Sequence, residues 1–267
     1  MLNLQESLAA QMESGHHKAT GPNRPLAFAV ATMLGGAFIG IADILMFTAA
    51  GPFYVAQSPV APLLSGLVFG LGLVLVIFAG GELATSAMMA LPQAVAGKKV
   101  SLPRALNVLA LILLGNLVGS VLLAAMVAYS GVFAPDTAAG GMLEGLVAAK
   151  AHKTELELFI RGIMCNVLVC LAIWSQARTQ NDVAKILLMA WCMFAFVTSG
   201  FEHVVANMTT FSLGFFMGVD HATLFEAARN WLIVGAGNLV GGALFVGGSY
   251  LLVAGPVKDA AVLVKQH

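Results

Sequence analysis

The chain has 267 residues, 59% of them hydrophobic and only 10% charged, and its 13 basic and 13 acidic side chains cancel. Soluble domains carry about 25% charged residues, so a chain with mean hydropathy +0.90 is expected to be an integral membrane protein. Its zero net charge gives nucleic acid nothing to bind. Cys165, Cys170 and Cys192 are odd in number, lie in apolar segments and show no metal spacing; they read as free core thiols.

Residues 1–24 contain Glu6 and Glu13 and no continuous apolar core. A cytoplasmic segment with an amphipathic surface helix over 3–13 is expected there, not a cleaved signal peptide. Six hydrophobic segments follow within a membrane domain over 25–254, at about 26–50, 60–96, 105–133, 156–178, 184–218 and 230–254. Residues 255–267 are expected to form a cytoplasmic tail. A helix needs about 20 residues to cross the hydrocarbon, and tilt absorbs only a few more. The second and fifth segments are therefore too long for one straight helix. Each also holds a lone acid near its middle, Glu82 and Glu202. Both are expected to enter, break inside the membrane and resume, at Gly80–Gly81 and at Ser199–Gly200.

With both termini on the inner side, that side holds Lys18, Arg24, Lys98, Lys99, Arg104, Arg178, Lys185, Lys258 and Lys265, nine of the 13 basic residues. The outer side holds Lys150, Lys153, Arg161 and Arg229. The excess predicts an N-in, C-in orientation.

The third segment contains "GNLVGS" at 115–120 and the sixth "GNLVGG" at 237–242. The broken segments read "ELATSAM" at 82–88 and "EHVVANM" at 202–208, and Glu82–Asn116 and Glu202–Asn238 are 34 and 36 residues apart. These parallels predict two copies of a three-span unit, about 25–133 and 156–254. Three is odd, so the second copy lies inverted: an all-α membrane fold with a 3+3 inverted repeat and broken spans 2 and 5. Such folds place a solute site at the breaks. Gly115, Gly119, Gly237 and Gly241 read as close-packing positions.

Unwound backbone at membrane depth must be buried in protein or line a watery cavity, and half-helix N-termini carry partial positive charge. With Thr85, Ser86, His203 and Asn207 they form a donor-rich lining suited to a small anion or a small polar neutral molecule. Between Ile186 and Val219 only Glu202 and His203 can carry charge, although burying one charge costs about 2.5–3.5 kcal/mol on insertion scales. His203 is the one histidine expected at membrane depth. Glu202 reads as structural, accepting bonds from loop N–H groups or from Asn166, because a carboxylate would repel an anion. Lys150 reads on its own as a solvated loop charge, and Asp43 as one end of a helix–helix hydrogen bond.

"GGELATSAM", "CNVLVCLAIW", "SGFEHVVANM" and the paired "GNLVG" resemble the formate/nitrite transporter family over essentially all of 25–254. The resemblance implies a homopentamer of aquaporin-like protomers in a bacterial inner membrane. Each protomer would have its own pore for small monovalent anions and no cofactor or metal. It implies that His203 is the central pore histidine with Thr85 facing it, that Glu202 and Asn166 steady the histidine loop, and that Asn207 follows it. Lys150 would be the basic residue of the outer vestibule. Phe69, Leu73, Val169 and Phe196, with Leu83, would form the apolar constrictions. Ala84 departs from the family, which carries an aromatic there, and implies a wider or leakier constriction. "MAWCMFAFVTSGFEHVVANMT", "CLAIWSQART" and short 3–4 and 5–6 connections are more similar to the nitrite branch. The favoured function is pH-dependent nitrite permeation, with formate as the alternative. Proton-coupled transport on the same scaffold is a second reading. An aquaporin-like pore for neutral solutes lacks any Asn-Pro-Ala signature at the breaks. A membrane enzyme would need a cofactor motif, metal cluster or nucleophile beside Glu202 and His203, and none accompanies them.

Overall fold

The computed structural model describes residues 1–255; the expected tail lies, but for Gly255, outside them. The 60–96 segment divides into α3 (Ala61–Phe78) and α4 (Ala84–Ala96), and the 184–218 segment into α8 (Asp182–Thr198) and α9 (Val204–Met217). Both linkers turn at a left-handed glycine, Gly80 at φ +85° and Gly200 at φ +70°, a conformation that costs glycine least. The remaining helices are α1 (Leu4–Thr20), α2 (Pro25–Val55), α5 (Leu102–Ala128), α6 (Ala138–Ala151), α7 (Glu155–Ala177) and α10 (Leu224–Val240). Helix α10 continues through a π-helical stretch, Gly241–Gly248, into α11 (Ser249–Ala254). Among the described residues five apolar rods, α2, α3, α5, α7 and the continuous Leu224–Ala254, are long enough to cross a membrane.

Local sequence sets the helix ends. Asn3 with Glu6, and Thr154 with Glu157, form reciprocal capping boxes. Thr137, Asn181 and Thr223 cap α6, α8 and α10 through their side chains. The motif glycines pack as expected. Gly119 lies on the Met33 carbonyl, Gly115 on the Thr32 side chain, and Gly237 and Gly241 on the carbonyls of Phe159 and Ile163. A methyl group at any of them would overlap those atoms, so α2–α5 and α7–α10 cross at backbone distance.

Two expectations need correction. The N-terminal helix runs to Thr20, not residue 13, and is docked: Leu8 and Met12 are buried, and Gly15 rests on the Ala90 carbonyl of α4. The connection between α5 and α7 is not short. It contains the 14-residue helix α6, whose Leu143 and Val147 are buried.

Gly119→Leu and Gly237→Leu are therefore expected to lower the thermal unfolding midpoint in detergent, by at least the ~1–3 kcal/mol of an overpacked core. Gly235→Ala should leave it nearly unchanged, because its nearest neighbour would be Val204 Cγ2 at 3.5 Å.

Candidate functional site

Two buried amides organise the centre. Asn116 on α5 accepts the Ala84 N–H at 2.9 Å and donates to the carbonyls of Glu82 and Thr32, both at 2.7 Å. Asn238 on α10 accepts the Val204 N–H at 2.9 Å and donates to the carbonyls of Glu202 at 3.0 Å and Gly162 at 2.7 Å. Each amide thus holds the start of one half-helix and the linker before it, and ties both to a neighbouring helix. Sequence reasoning gave "GNLVG" to its glycines and missed the asparagines, although the matched 34- and 36-residue spacings were the signal.

The parallel extends to charge. Lys18 at the end of α1 donates to Glu82 at 2.6 Å, and Lys150 at the end of α6 donates to Glu202 at 2.7 Å. The second site is more deeply buried and more heavily bonded. Glu202 Oε2 also accepts from Asn207 at 2.8 Å, and Oε1 lies 3.5 Å from Lys153. Asn207 in turn donates to Asn230 at 2.7 Å. Burial pulls the Lys153 ammonium below the usual lysine range, and the Glu202 carboxylate opposes this.

These bonds revise two assignments. The Glu202 carboxylate is held by Lys150 and Asn207, not by loop N–H groups or by Asn166. Asn166 donates to the carbonyls of Thr85 at 3.2 Å and Asn238 at 2.6 Å. It reaches the histidine linker only through Asn238, because the Val204 and Glu202 N–H groups are already taken by Asn238 and the Arg161 carbonyl.

His203 is the N-cap of α9, and its Nδ1 lies 3.1 Å from the Ala206 N–H. A backbone N–H can only donate, so Nδ1 accepts and Nε2 carries the ring proton. Nε2 lies 3.0 Å from Thr85 Oγ1 in the first turn of α4, so the ring donates across the meeting point of the two half-helices. Phe196 stacks on the imidazole at 5.9 Å, and Phe69 meets Phe196 edge-on at 5.5 Å.

A cavity of about 160 Å³ opens above this point, on the face that carries α6. Of the residues singled out in the sequence, His203, Glu202, Asn207, Lys150, Phe69 and Phe196 line it. Thr85 lies behind His203. Asn166, Leu73, Leu83 and Val169 are buried outside the cavity. Leu83 caps α4 where His203 caps α9, and offers no side-chain bond. Asp43, read from the sequence as a helix–helix bond, also lines the cavity, and so do Lys153 and Arg161. Arg161 donates to the Gly200 carbonyl at 2.8 Å. Asp43 accepts the Thr210 hydroxyl at 2.7 Å, the expected helix–helix bond.

Among known proteins, the family model described as formate/nitrite transporter matches residues 5–252. The nitrite transporter NirC of Escherichia coli (strain K12) is 39% identical over 231 residues, 85% of this chain and 84% of its own. A solved FNT family ion channel has a TM-score of 0.87 at 37% identity, over 94% of this chain and 99% of its own. A pentameric formate channel with formate bound has a TM-score of 0.73 at 29% identity, over 84% and 96%.

Replacing either clamp amide strands a buried N–H and two carbonyls. Asn116→Leu and Asn238→Leu are each expected to destabilise the fold by at least about 1–3 kcal/mol. Asn238→Asp should be no better, because it sets an acceptor against two carbonyls. Thermal unfolding of the purified variants in detergent checks both.

Proposed function

The chain belongs to the formate/nitrite transporter family, and on that premise we propose that it is a membrane channel for small monovalent weak-acid anions, nitrite first and formate the alternative. The observation that carries the proposal is a neutral His203 whose Nε2–H points between two half-helix starts, at the foot of a cavity rimmed by cations. NirC is named for nitrite, the pentameric neighbour for formate, and other relatives are named as formate channels.

The cavity holds three cations, Lys150, Lys153 and Arg161, against two carboxylates, Glu202 and Asp43. Its positive excess raises the local anion concentration at the mouth. Glu202 occupies both lysines, so they attract an anion without trapping it in a direct ion pair. At Phe69 and Phe196 the ion sheds water, which penalises its charged form. The partial positive charge of the α4 and α9 starts and the His203 Nε2–H then replace part of that hydration. Protonating His203 at Nδ1 would break its bond to the Ala206 N–H and uncap α9. This supports hydrogen-bond donation by a neutral ring over proton exchange in each cycle. Proton-coupled transport remains the second reading, because histidine is the side chain whose ordinary titration range lies nearest neutrality.

The recurrence of lysine, glutamate and asparagine in both halves supports a 3+3 inverted repeat with broken second and fifth spans. The charge bias supports an N-in orientation, and the bacterial relatives support an inner-membrane location. The apolar surface of Leu26, Trp191, Leu224, Phe225 and Leu232, each more than 70% exposed, together with the pentameric neighbour, supports a homopentamer with one pore per protomer. The work done is permeation, with no catalytic step, cofactor or metal.

Liposomes holding the purified chain are expected to take up nitrite and formate well above empty liposomes, with little chloride or glycerol. Glycerol uptake matching nitrite uptake would contradict the proposal. Native mass spectrometry in mild detergent should give a five-chain mass, and active monomers alone would contradict the assembly.

A further inference from the structure

Beyond its charge in the cavity's balance, Asp43 has no role in the steps above, yet it lines the cavity with His203. It lies on α2, 2% exposed, and Thr210 donates to its Oδ2. Its other oxygen has no donor among the described residues, and the residue lines the cavity. The charged and titratable groups that share that space are Lys150, Lys153, Arg161, Glu202 and His203. Both lysines serve Glu202, Arg161 serves the Gly200 carbonyl, and among the described residues no cation lies within ion-pair distance of Asp43. Its charge is therefore the one negative charge of the cavity left without a direct counter-ion. The Thr210 hydroxyl can keep donating to Oδ2 in either form of the carboxyl, which leaves the other oxygen to take the proton.

We propose that Asp43 sets the pH dependence of anion entry from the α6 face. Ionised, it repels an anion approaching His203. When it binds a proton from the cavity water, an O–H bond forms, the repulsion disappears, and the carboxylic acid offers the ion a further donor. Anion entry then rises as that face is acidified, independently of any proton on His203. The inference rests on the reading of the chain as an anion channel.

The test is initial nitrite uptake into liposomes holding the full chain, for the parent and for Asp43→Asn, from acid to alkaline external pH. The variant keeps an acceptor for Thr210 and cannot ionise. Nitrite's own protonation and any titration of His203 enter both proteins, so the variant-to-parent ratio isolates Asp43. The ratio is expected near one at acid pH, rising at alkaline pH to roughly tenfold, the size of one unit charge acting across about 10 Å at an effective dielectric near 20. A flat ratio in an active parent overturns the inference alone. A parent without nitrite or formate uptake at any pH overturns the proposed function and this inference with it. Asp43→Ser provides a second neutral variant should the amide fail to assemble, and it must show the same ratio. Infrared difference spectra between acid and alkaline pH should contain a protonated-carboxyl carbonyl band in the parent that both variants lack. Identical spectra would overturn the proposal.

Discussion

A helix that stops inside an apolar layer exposes N–H and C=O groups where no water reaches, and each unpaired group costs several kcal/mol. The starts of α4 and α9 are both buried, and at each an asparagine side chain pairs the first helical N–H and the linker carbonyl. Asn116 and Asn238 bond both the linker carbonyl and the first helical N–H, and anchor the assembly on the Thr32 and Gly162 carbonyls. The rest follows from that clamp. With the half-helix starts fixed and aimed at one another, His203 and Thr85 meet at 3.0 Å. The close helix crossings at Gly119 and Gly237 bring α5 and α10 near enough for their amides to reach.

The same scaffold serves two different ends because its side chains differ. Where α9 starts with a histidine, α4 starts with Leu83, so only the α9 start supplies a side-chain donor. Glu202 is 2% exposed and bound by Lys150, Lys153 and Asn207, whereas Glu82 has Lys18. The buried pair is expensive to break, because removing one partner leaves an uncompensated charge at a cost of about 3–5 kcal/mol. Such a pair holds the linker firmly while keeping both lysines near the mouth.

Much of this was legible in the sequence. Lengths of 37 and 35 residues, each with one acid and a glycine near the middle, force two broken helices, and the duplicated "GNLVG" marked their partners. Helix α6 was hidden because its Ala- and Gly-rich stretch is too short to cross a membrane and lacks a sharp apolar period. The docking of α1 was hidden because its buried residues include only two large apolar side chains, Leu8 and Met12, beside Ser7, Gln11, Gly15 and Ala19. The ion pairs join residues 64 and 52 positions apart, and no local pattern reports such a pairing. Asn166 was misjudged for a related reason: the motif places it near the linkers, but whether its amide reaches the Glu202 carboxylate or the Thr85 and Asn238 carbonyls depends on how α7 packs against α4 and α10.

The central claim is that His203 acts as a neutral donor that also caps α9. The most direct measurement is nitrite and proton flux through His203→Asn in liposomes at several pH values. Asparagine is a favoured N-cap and keeps an N–H donor, but it cannot exchange a proton. The account predicts a folded variant whose two fluxes track those of the parent across pH. A folded variant that still passes nitrite but has lost the accompanying proton movement would contradict it, and would make the histidine a proton carrier.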